Sequence, residues 1–101
     1  MSKAESRRWA EYGERQYLSC LDRWIRSLEA GKPDLNAMMG CYRHAYGAEI
    51  NYKDAGDTSK YRQARDLRKF WTEFVESALK GKTSGQFDKL LQEVMRRREN
   101  G

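Results

Sequence analysis

Residues 58–80 read TSKYRQARDLRKFWTEFVESALK. Ala64, Leu67, Phe70, Trp71, Phe74, Val75 and Ala78 recur in this stretch at steps of three and four, the period of a helix with one buried face. It holds the densest apolar stripe in the chain and predicts a helix over 58–80, with Gly81 ending it. The same period appears on either side, and strict two-residue alternation is almost absent. The fold class expected is therefore all-α.

Upstream, Ser2 followed by Glu5 matches a capping box, in which the two side chains satisfy free N–H groups at a helix start. A helix over 3–28 follows, with Tyr17, Leu18, Leu21, Trp24, Ile25 and Leu28 on one stripe and Trp9 extending its line. Gly31 and Pro33 close it. Asp34 is placed to cap a short second helix over 35–46, whose face carries Leu35, Met38, Met39, Tyr42, Ala45 and Tyr46. Gly47 reads as its terminator, which leaves 47–57, GAEINYKDAGD, as one long loop between helices. Thr83 and Gln86 form a second capping-box match. A fourth helix is expected over 84–97, with Phe87, Leu90, Leu91, Val94 and Met95 inward, and residues 98–101 as a frayed tail. The reading is a compact four-helix domain spanning 1–101.

The composition limits the functions open to such a chain. It has 101 residues, 35% of them charged, and no apolar run near the ~20 residues that a membrane span needs. Leu, Ile, Val and Phe together number only 15, but three Trp, six Tyr and four Met compensate, so a small aromatic core is expected. Burying surplus aromatic surface against a second copy, as a homodimer, or against a partner would add stability. The N-terminal residues resemble neither a signal peptide nor a lipidation site. Cys20 and Cys41 lack metal-ligand spacing and are expected to be reduced, half-buried thiols of a cytoplasmic protein.

Enzymatic signals are sparse. His44 is the sole histidine, so no histidine pair can bind a metal, and neither a P-loop nor a dinucleotide turn occurs. Glu49, Asp54 and Asp57 do not match a calcium-loop ladder. The expectation is a protein without catalytic residues, metal or cofactor.

Charge and aromatics carry the functional reading. The formal net charge is +5. Residues 58–82 hold seven basic and three acidic side chains, a local +4. Arg62 with Asp66, Lys69 with Glu73, and Glu76 with Lys80 have the i,i+4 spacing of exposed helix pairs. Even so, the cations crowd the first half of this helix, against the preference of the helix dipole. Lys60, Arg62, Arg65, Arg68 and Lys69 thus form a candidate surface for phosphate or an acidic protein patch, with Arg96, Arg97 and Arg98 as a second basic run. Trp9, Tyr12, Tyr52 and Tyr61 are candidate aromatic contacts, since Trp, Tyr and Arg dominate protein interfaces and also stack on bases.

Two functions follow as expectations. One is a small inhibitor or adaptor that binds a larger protein or nucleoprotein complex through a basic-aromatic surface. In size and composition it resembles the accessory proteins of phages and mobile elements. The alternative is a nucleic-acid-binding module that holds the phosphate backbone through the basic helix and the C-terminal arginines.

Overall fold

A computed structural model describes residues 1–80, together with Gln92 and Arg96. These residues form three helices and no strand: α1 (Lys3–Glu29), α2 (Leu35–Ala55) and α3 (Thr58–Leu79). The all-α class holds. Apart from Gln92 and Arg96, both helical, the expected helix over 84–97 lies outside the described residues, as does the tail over 98–101.

Each helix start follows from a short polar side chain. Ser2 Oγ accepts the Glu5 N–H at 3.1 Å and donates to the Glu5 carboxylate at 3.3 Å. Asp34 Oδ1 accepts the Ala37 N–H at 3.0 Å, and Asp57 Oδ1 accepts that of Lys60 at 3.1 Å. Such caps satisfy donors that the first helical turn leaves free. α1 is capped by Ala30 and followed by Gly31, whose φ of 73° lies in the left-handed region open to glycine. Ser27 Oγ then accepts the Asp34 N–H at 2.9 Å and fixes the turn into α2.

α2 departs from the sequence reading. It does not stop near residue 46 but runs to Ala55. The expected loop over 47–57 is instead two more helical turns and a two-residue link, Gly56 and Asp57. Gly56 (φ 74°), not Gly47, is the left-handed terminator. Glycine inside a helix costs about 1 kcal/mol relative to alanine. The burial of Ala48, Tyr52 and Ala55 offsets that cost, because these three continue the inward face of Ala37, Cys41 and Ala45. Asn51 Nδ2 also donates to the Gly47 carbonyl at 2.9 Å.

The short links make consecutive helices antiparallel, so α1 and α3 run in the same direction. α2 packs against both. It meets α1 through small residues: a β-carbon on Gly40 would fall 2.6 Å from Cys20 Sγ, and one on Gly13 would fall 3.3 Å from the His44 carbonyl oxygen. α1 and α3 meet through large rings. Trp24 and Phe74 pack edge-on with centroids 6.0 Å apart, and Tyr17 and Trp71 at 6.3 Å. Trp71 and Phe74 are fully buried. A smaller cluster of Ala10, Ala48, Tyr52 and Ala64, with Tyr61 against it, fills the end where α1 begins.

Candidate interaction surface

Much of the charge on the expected phosphate-binding helix is taken up by carboxylates, two of the three on other helices. Arg68 Nε and Nη2 donate to the two Glu49 carboxylate oxygens at 2.7 and 3.1 Å. This fork-on-carboxylate bond holds the guanidinium above its ordinary pKa, against the opposing effect of burial. Lys60 Nζ lies 3.6 Å from Glu14 Oε1. Arg65 lies 3.4 Å from Asp66 and sits over the Tyr61 ring, 5.9 Å from its centroid. Asp66 therefore faces Arg65 rather than Arg62. Arg62 and Lys69 are exposed and form no ion pair among the described residues. Arg96 is exposed and has a partner of its own; Arg97 and Arg98 lie outside the described residues.

The four candidate aromatics separate. Tyr52, expected to be exposed, is only 2% exposed. That expectation depended on a loop at 47–57; once α2 continues, the ring lies on its inward face. Its hydroxyl is pushed well above the ordinary tyrosine range, first by burial, then by its hydrogen bond with Glu14 and the nearby carboxylates. Tyr61 is half-buried against the second cluster. Trp9 and Tyr12 remain outside, 55% and 44% exposed.

Trp9 and Tyr12 are one turn apart on α1. Their rings meet edge-on at 5.8 Å, with planes at 88°. Ala10 and Gly13, beside them in sequence, are buried against α2, so the backbone under the pair is held by packing. With Glu5 and Arg8 they line a hollow of about 500 Å³. A second hollow, of about 120 Å³, lies between α1 and α3 above Ala45 and Ala48. The structure thus divides the basic-aromatic surface in two, with Trp9 and Tyr12 on α1 and the unpaired Arg62 and Lys69 on α3.

Three apolar residues that the sequence reading placed on buried faces are exposed in the structure. Leu18, assigned to the α1 stripe, faces outward. Leu35 and Tyr46, assigned to the inner face of α2, are exposed together with Ile50. The Tyr46 ring stacks on Tyr42 at 6.1 Å. Of the expected face, Met38 and Ala45 are buried and Met39 and Tyr42 pack against the core, so only its edge residues Leu35 and Tyr46 face outward.

Burial, with a smaller contribution from Arg43, lowers the His44 pKa below its ordinary 6.5. The Cys41 thiol is raised above the usual range, first by burial and then by the neighbouring Cys20. Both cysteines are free and buried. Among the described residues no group of three or more His, Cys, Asp or Glu is placed to hold a metal ion, and no helix is long and apolar enough to cross a membrane. Comparison with protein-family models, with curated proteins and with solved structures gives no match to this chain.

Proposed function

We propose that this chain is a protein-binding module without catalytic residues, which docks on a larger protein as an inhibitor or adaptor through the Trp9–Tyr12 face of α1. The observation that carries the reading is the pair itself. Two large rings stand outside the core on a rigidly packed helix, beside Arg8 and a hollow wide enough for a partner's side chains. Trp, Tyr and Arg are the residues that supply most binding energy at protein interfaces.

The phosphate-binding alternative is weaker. Lys60, Arg65 and Arg68 are held by carboxylates, and only Arg62 and Lys69 of the five α3 cations remain unpaired among the described residues. Few phosphate contacts give weak binding.

The test uses immobilised full-length chain as bait, with Trp9→Ala, Tyr12→Ala and Arg62→Glu/Lys69→Glu variants beside the wild type. The expected result is a retained protein that both aromatic variants lose and the charge variant keeps. Parallel anisotropy titrations with random oligonucleotides at low and high salt provide the counter-test. Tight, salt-steep binding abolished by Arg62→Glu/Lys69→Glu would replace this reading with the nucleic-acid one.

A further inference from the structure

Glu5 and Arg8 share the exposed face of α1 with Tyr12, at steps of three and four. Opposite charges three residues apart on a helix commonly bond to each other. Here neither forms an ion pair among the described residues, and Glu5 meets only the Ser2 hydroxyl. The aromatic pair is thus bordered by one carboxylate and one guanidinium that form no ion pair among the described residues. A twofold interface needs such a patch, because residue i of one copy must meet residue j of the other while j meets i.

We infer that a second copy of this chain covers the Trp9–Tyr12 face, with the two α1 helices antiparallel about an axis between residues 6 and 7. This rests on the reading of that face as a protein interface and names its occupant. The pairing sets Glu5 of one copy against Arg8 of the other, twice. It also brings Tyr12 to the level of the second copy's Met1, which is 81% exposed. Trp9 flanks the two ion pairs and shields them from water. The patch is small, and interfaces below about 1,200 Å² in total are weak. The dimer is therefore concentration-dependent, and a larger partner can displace it from the same surface.

The test is sedimentation equilibrium of the full-length chain from micromolar to roughly millimolar concentration. The variants are Glu5→Arg, Arg8→Glu and the double exchange carrying both. The expected result is a monomer–dimer equilibrium in the wild type, weakened roughly tenfold or more by either single reversal, where like charges meet. The double exchange restores it. Because the double exchange still carries Glu5→Arg, it has the same unfavourable charge in the first turn of α1 as that single variant. Restored dimerisation therefore cannot come from recovered helix stability. Circular dichroism of each variant confirms that it is folded. A wild type that stays monomeric throughout overturns the inference, as does a double exchange that behaves like the single variants. If the chain is monomeric but Trp9→Ala still loses a captured partner, only the occupant is wrong. If Trp9→Ala changes neither self-association nor capture, the interface reading falls as well.

Discussion

The indole N–H of Trp71 donates to the Tyr17 hydroxyl across 3.0 Å, with both residues buried and 54 positions apart. This bond joins α3 to α1 inside the aromatic core. Tyr17→Phe removes the acceptor and leaves the indole N–H buried without a partner, as Trp24 Nε1 already is among the described residues. The loss of an acceptor for a buried donor costs about 1–3 kcal/mol. The expected outcome is a lower urea midpoint with an unchanged m-value, and a Tm reduced by at least about 4 °C.

Gly40 and Gly47 are both helical, and they respond oppositely to alanine. A β-carbon on Gly40 would fall 2.6 Å from Cys20 Sγ, whereas one on Gly47 meets nothing within 4 Å. Gly40→Ala forces α1 and α2 apart or turns the Cys20 side chain, and should destabilise by about 1–3 kcal/mol. Adding Cys20→Ala should recover part of that loss. Gly47→Ala should stabilise by about 0.5–1 kcal/mol, through helix propensity and a more restricted unfolded chain. Denaturant midpoints of the four proteins check all three statements.

The Glu49–Arg68 pair is the best-formed ion pair among those described, with side chains 12% and 25% exposed. Arg68→Ala leaves a mostly buried carboxylate without its donor and should cost about 1–2 kcal/mol, less than a fully buried pair would. Arg68→Lys keeps the charge but loses the two-pronged geometry, and should fall between the two. A double-mutant cycle with Glu49→Gln measures the coupling.

His44 gives stability a pH dependence. Its folded-state pKa lies below the ordinary 6.5 because burial, and then Arg43, disfavour the imidazolium. Below pH 6.5 the unfolded chain therefore binds more protons than the folded one, and the His44 contribution is lost as pH falls through the folded-state value. As the only histidine, its ring resonances can be followed by NMR without assignment, and the midpoint should fall below 6.5. His44→Gln should flatten the stability profile just below about pH 6.5, where the unfolded chain takes up the His44 proton first.

The helix starts were legible in the sequence because they are local. Ser2, Asp34 and Asp57 each act on a residue three positions on. The end of α2 was not legible. Gly47 and Gly56 look alike as terminators, and the signal that separates them is the inward face of Ala48, Tyr52 and Ala55. Two of these are alanines, whose weak hydrophobicity barely registers in a periodic pattern, and so the misplaced loop carried Tyr52 outward with it. At the candidate site, Trp9 and Tyr12 could be named but not placed inside or outside, since their neighbours Ala10 and Gly13 show no strong apolar signal. The partners of Lys60 and Arg68 lie on other helices, at Glu14 and Glu49. Spacing along one helix cannot show such pairs.

The two-residue link of Gly56 and Asp57 also sets an order of events in folding. It leaves α2 and α3 almost no loop to close, so their mutual contacts form between segments adjacent in sequence, the regime of fast folding. The Tyr17–Trp71 bond must bridge 54 positions, and its larger loop-closure cost leads us to expect that it forms later. In a Trp9→Phe/Trp24→Phe variant, where Trp71 is the sole indole, the fluorescence change on refolding is expected to lag behind the far-ultraviolet dichroism.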